Sequence, residues 1–141
     1  MASVVRLSVI DKKLEFTVVD SEPTIKLRED MQVIAYFRND SLPTLVFAFY
    51  DQDGNPYDLT TVSNIKFKLK QVGGAGLKID AVAVIDPTPT TGLASYPWVA
   101  GDLDTSGDFI GEVSFEFGIA PAAVLVRTIG QFKFKVLEDL T

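Results

Sequence analysis

The sequence predicts an all-β domain, a sandwich or a barrel, and three observations lead there. Apolar and polar residues alternate with a period of two in the best-defined runs, which puts one face of each strand in a core and the other in water. Turn residues recur about every 8–12 positions, the spacing of short strands joined by tight connections. No stretch reads as a long helix, because Pro23, Pro43, Pro56, Pro87, Pro89, Pro97 and Pro121 interrupt the chain. Each proline lacks a backbone N–H, and its ring collides with the preceding helical turn.

Val4–Ile10 and Leu14–Val19 read as strands of a hairpin that turns at Asp11-Lys12-Lys13. Weaker strands follow at Thr24–Leu27 and Gln32–Arg38, then an aromatic-rich one at Thr44–Tyr50. Ile65, Phe67 and Leu69 alternate with Lys66, Lys68 and Lys70, the clearest half-buried strand of the chain. Gly73-Gly74-Ala75-Gly76 is a flexible connection to a strand at Leu77–Ile85. Asp86-Pro87-Thr88-Pro89-Thr90 is a loop that proline keeps out of any ladder, and Gly92–Trp98 resumes the strand pattern. One short helical turn is expected near Ala100–Thr105. Val113, Phe115 and Phe117 alternate with Glu112, Ser114 and Glu116, which places that serine and those glutamates on the wet face. Ala122–Ile129 is expected to pair through Gly130 with a last strand, where Phe132, Phe134 and Val136 alternate with Gln131, Lys133 and Lys135.

Residues 1–38 are less regular than the rest, and Asn39-Asp40-Ser41 before Leu42-Pro43 is a loop signal. The chain thus divides into 1–38, read as an N-terminal hairpin or docking arm or else as the first strands of the same sandwich, and 39–141, the sandwich itself. A chain of 141 residues fits one domain and has enough apolar material, ten Phe included, for a self-sufficient core.

Composition removes whole classes of chemistry. There is no Cys, hence no disulfide, thiolate ligand or thiol nucleophile, and no His, the usual general base and commonest nitrogen ligand. The expectation is no enzyme and no cofactor. The net charge of −6 argues against nucleic acid, which needs a basic stripe to replace counterions; Lys66, Lys68 and Lys70 come nearest but read as the solvated face of a strand. No apolar run is long enough for a membrane span and no signal peptide is visible.

Four features remain as candidate sites. Asp51-Gln52-Asp53-Gly54-Asn55-Pro56-Tyr57-Asp58 is dense in oxygen ligands, but Pro56 and Val62 stand where a calcium loop of the EF-hand type requires Gly and Glu. A looser Ca²⁺ site and a tight turn remain as readings, the turn being the ordinary use of these residues. Asp102, Asp104 and Asp108 could form a carboxylate pair for glycoside hydrolysis, yet they sit among Thr105, Ser106 and Gly107 on a turn-like stretch. Gly73–Gly76 lacks the Gly-Lys-Ser/Thr ending of a phosphate loop. Tyr96 and Trp98, spaced to share one face, are either core rings or anchors for a partner.

From Leu45 onward the order of motifs is distinctive. The aromatic strand is followed by Asp51-Gln52-Asp53-Gly54-Asn55-Pro56-Tyr57-Asp58-Leu59-Thr60, then Ile65-Lys66-Phe67-Lys68-Leu69-Lys70, then Gly92-Leu93-Ala94-Ser95-Tyr96-Pro97-Trp98. Gly101-Asp102-Leu103-Asp104-Thr105-Ser106-Gly107-Asp108-Phe109 and Glu112-Val113-Ser114-Phe115-Glu116-Phe117 complete it. This resembles the immunoglobulin-like N-terminal domain of bacteriophage baseplate upper proteins and related phage virion structural proteins, over about residues 42–137. The resemblance implies an antiparallel immunoglobulin-like β-sandwich, a non-catalytic assembly role in the tail or baseplate, and location in a virion assembled in the host cytoplasm. The partners expected are other virion proteins and symmetry-related copies of the chain, without nucleic acid or membrane. The residues expected at such contacts are Val4, Arg6, Leu7 and Val9, in an arm spanning residues 1–20 that could add to an open sheet edge, together with Tyr96 and Trp98. A capsid decoration or neck protein, and a carbohydrate-binding module, are the alternatives.

Overall fold

A computed structural model describes residues 12–18, 33–118 and 125–138. It contains eight strands: β1 (Lys12–Thr17), β2 (Val33–Phe37), β3 (Leu45–Tyr50), β4 (Asn64–Gln71), β5 (Leu77–Ile85), β6 (Leu93–Tyr96), β7 (Gly107–Phe117) and β8 (Leu125–Leu137). The helical content of the described residues is one 3-10 turn at Pro89–Thr91. The chain is all-β, as the periodicity predicts.

The strands form one hydrogen-bonded order, β1-β3-β6-β5-β4-β7-β8-β2. β5 joins two parts of it: Leu77–Ala83 pairs with β4, whereas Val84 and Ile85 pair with β6. The two parts then face each other. Phe47 of β3 lies 5.6 Å from Phe67 of β4, Phe49 of β3 lies 4.9 Å from Phe115 of β7, and Phe16 of β1 lies 6.3 Å from Phe132 of β8. None of these pairs joins neighbouring strands, so the sheet folds over on itself around a shared aromatic core.

The pairing is mixed, which corrects the expectation of antiparallel strands throughout. β1 runs parallel to β3, and β2 runs parallel to β8, while the interior pairs are antiparallel. Both parallel strands come from residues 1–38 and form the two edges of the order. Leu14, Phe16, Val18, Ile34 and Tyr36 from these strands are buried with the rest of the core. Lys12 and Lys13 are strand residues in register with Leu45 and Val46, where the sequence suggests a hairpin turn. Val4–Ile10 and Thr24–Leu27 lie outside the described residues.

Four further differences have local causes. Gly130 is not a turn: β8 runs unbroken through it, and its missing side chain leaves room for the ring of Phe16, whose Cδ1 a Cβ there would meet at 2.7 Å. β7 begins at Gly107, well before the visible alternation, because Asp108–Gly111 continue the ladder with Lys135–Phe132. A bulge at Val113/Ser114 shifts that ladder, and Ser114 is buried beside Val113 and Phe115 rather than wet. The turn expected near Ala100–Thr105 forms without a helix, and the 3-10 turn lies instead at Pro89–Thr91, where proline presets φ. Gly92 closes that turn at φ 71°, and a Cβ there would meet the Phe49 carbonyl oxygen at 2.6 Å.

Candidate interaction surface

The turn residues singled out in the sequence have structural duties. Asp51 Oδ1 accepts hydrogen bonds from the N–H groups of Asp53 (2.9 Å) and Asn55 (3.0 Å), and Asp58 Oδ1 accepts from Thr60 N–H and hydroxyl. Side-chain oxygens thereby replace the backbone partners that a sharp reversal lacks. The bond from the Thr60 hydroxyl holds the Asp58 carboxyl below the usual carboxylate range. Gly54, at φ 87°, supplies the left-handed residue of the turn.

Asp102, Asp104 and Asp108 diverge. Asp102 Oδ2 accepts from the Tyr96 hydroxyl at 2.7 Å and from Val99 N–H at 2.9 Å. Asp104 accepts a hydrogen bond from the Lys78 ammonium, which keeps its carboxyl below the usual range, and the same ammonium also donates to the Gly101 carbonyl. Asp108 stands across the ladder from Lys135. Two of the three carboxylates thus fasten the β6–β7 connection. Among the described residues, no group of three or more acidic side chains is arranged to hold a metal ion.

Of the two readings the spacing allows, Tyr96 and Trp98 take the place of core rings, 6% and 8% exposed. Pro97 does not break their shared direction: both rings face Phe67, at 5.0 and 6.0 Å, and each other at 5.1 Å. Burial and the Asp102 carboxylate push the Tyr96 hydroxyl well above its ordinary pKa. Val4, Arg6, Leu7 and Val9 lie outside the described residues.

A continuous set of accessible side chains lies on the outer face of β2-β8-β7-β4-β5. Registers place Val33, Lys133, Ile110, Lys70 and Leu77 in one row across five strands. The neighbouring row is Gln131, Glu112, Lys68 and Asp80; the row on the other side is Ala35, Lys135 and Asp108, with Val72 N–H bonded to the Asp108 carbonyl. Beyond it, Phe37 sits against Leu137, both exposed. Two shallow depressions meet at Ile110: one lined by Val72, Asp108, Lys133 and Lys135, the other by Lys68, Lys70, Leu77 and Glu112. Periodicity predicts that Lys66, Lys68, Lys70, Lys133 and Lys135 are wet. It does not show that β4 and β8 flank β7 and bring those lysines to one face; the signal available in the sequence is the absence of Lys and Arg from residues 79–126 between them.

No protein-family profile and no curated protein sequence matches the chain. A solved structure does: the N-terminal domain of phage TP901-1 ORF48 superposes with a TM-score of 0.60 at 11% identity, over 92% of this chain and 99% of that one. At that identity the likeness is one of fold, and the fold is that of a phage protein's N-terminal domain.

Proposed function

We propose that the chain is a structural protein of a phage virion, a non-catalytic assembly module of the tail or baseplate that works through protein–protein contacts. The observation that carries this reading is the fold likeness to the phage TP901-1 ORF48 domain, which extends over nearly the whole of that chain. The motif order from Leu45 to Phe117 points the same way. The surface is of a fitting kind. Its outer sheet face mixes exposed aliphatics with lysines, and two of the three carboxylates weighed for hydrolysis, Asp102 and Asp104, are bonded into the β6–β7 connection.

The virion reading is tested on purified particles. Mass spectrometry of the particles is expected to find the chain, and an antibody against it is expected to decorate the tail end in electron micrographs. Absence of the chain from particles overturns the proposal. Decoration of the head or neck instead keeps the virion and replaces the tail assignment with a capsid decoration or neck protein. The carbohydrate-binding alternative requires a flat row of exposed aromatic rings; Tyr96 and Trp98 do not supply it, since both are buried.

A further inference from the structure

The charges of this chain are segregated in a way that an assembly role of any kind does not demand. No Lys or Arg occurs in residues 39–65 or 79–126. The outer face of β4, β7, β8 and β5 carries Lys66, Lys68, Lys70, Lys133 and Lys135 against Asp80, Asp108, Glu112 and Glu116, the last standing beside Asn64 at the far end of β4 from Lys70. It is a positive face on a chain of net charge −6. Lys66 is neutralised by Asp80 at 2.9 Å, but among the described residues Lys70, Lys133 and Lys135 form no salt bridge. Exposed apolar side chains, Val33, Leu77 and Val72, lie around these three lysines.

The opposite charge lies at the other end of the same strands. The β3–β4 loop carries Asp51, Asp53 and Asp58, and its Leu59 N–H bonds to Pro89, in the connection that also carries Asp86. This loop leads into the start of β4 at Asn64, whereas Lys70 is near its finish; at about 3.3 Å per residue the two are separated by roughly 20 Å. The loop therefore cannot fold back onto the lysines of its own chain. It can reach those of another.

We infer that the lysine-bearing outer face around Lys70, Lys133 and Lys135 receives the acidic β3–β4 loop of a second copy of this chain, head to tail. The occupant is identified by charge complementarity between two surfaces of one molecule. The apolar side chains between the lysines give the contact a part that excludes water, which a polyanion alone would not use. A head-to-tail contact uses two different patches, so each bound pair leaves one of each open, and repetition makes a ring or a filament. The inference stands without the phage reading, because it uses only the placement of charge.

Sedimentation of the purified chain across a concentration series tests it. Self-association is expected at about 0.01 M salt, where charge reaches about 30 Å, and is expected to weaken by about tenfold or more at 0.15 M, where it reaches about 8 Å. Three variants, each checked for folding by circular dichroism, separate this contact from general charge effects. Lys133→Glu with Lys135→Glu is expected to weaken association about tenfold or more, whereas Lys13→Glu with Arg38→Glu, which changes net charge equally, is expected to leave it nearly unchanged. Gln52→Lys with Asp53→Lys lowers the net negative charge and so reduces general repulsion, yet is expected to weaken association too. Mixing the first and third variants is expected to restore it. A chain that stays monomeric at low salt overturns the inference, as do equal effects of the first two variants, or association strengthened by the third. A monomer that binds heparin through Lys133 and Lys135 would assign the face to a polyanion instead.

Discussion

The aromatic core is built in two different ways at its two sides. Around Phe16, Phe49, Phe115 and Phe132 the rings are phenyl groups and the fit is one of shape. Phe132 lies over Gly111, its cross-strand neighbour, and Phe16 lies over Gly130. Around Trp98 two of the four neighbouring rings, Tyr36 and Tyr96, carry polar handles that reach out of the core into loops, beside Phe67 and Phe134. Tyr36 donates to the Pro43 carbonyl at 2.7 Å and Tyr96 donates to Asp102 at 2.7 Å, while among the described residues the buried indole Nε1 of Trp98 has no hydrogen-bond partner. Phe67 touches both sides: Phe47 and Phe132 at 5.6 and 6.1 Å, Tyr96 and Trp98 at 5.0 and 6.0 Å. The phenyl side fastens strand to strand, and the Tyr/Trp side fastens strands to the connections that bound the outer face. Damage to the first should be insensitive to pH, and damage to the second should not.

Truncation of Phe67 strikes both sides at once and is expected to have the largest effect. Phe67→Ala should lower unfolding stability by about 3–5 kcal/mol, measured by urea denaturation, since the ring is fully buried and its neighbours cannot collapse into the space from two directions. Gly111→Ala tests the phenyl side alone. The added Cβ would stand 2.2 Å from Phe132 Cζ, so the ring must leave its place, at a cost of about 1–3 kcal/mol; Phe132→Leu in the same background should recover part of the loss.

Tyr96→Phe tests the polar side, and the expected loss at neutral pH is about 1 kcal/mol, one hydrogen bond. Its pH dependence is the sharper readout. The folded state holds the Tyr96 hydroxyl protonated above its ordinary pKa, so its contribution is complete below about pH 10, the unfolded value, and falls as pH rises beyond that. Wild type should therefore lose stability from about pH 10 upward more steeply than Tyr96→Phe. An equal slope would contradict the bonded geometry. Trp98→Phe is expected to cost under about 1.5 kcal/mol, because the lost contact area is offset by removal of a buried N–H with no partner among the described residues.

Strands with one buried face were legible in the sequence because their period survives folding unchanged. Ile65, Phe67 and Leu69 are buried and Lys66, Lys68 and Lys70 are less so, as the alternation requires. Ser114 escaped because a bulge depends on the register with β8, and register is a property of two strands. The burial of Tyr96 and Trp98 could be stated only as one of two readings, since spacing gives a shared face and not which face. The turn role of Asp51 and Asp58 was recoverable from local chemistry, because their partners lie two to four residues away.

Read alone, the sequence settled the class of structure, which residues of a regular strand share a face, and the loss of cysteine and histidine chemistry, since period and composition are local quantities. Folding alone decided that β1 and β2 run parallel to their neighbours at the two edges, and that β5 joins the two facing parts. It also decided that lysines some sixty residues apart in sequence, Lys70 and Lys133, stand in one row. These facts depend on which strand lies beside which, and that choice is made by the packing of phenyl rings from strands far apart in the chain.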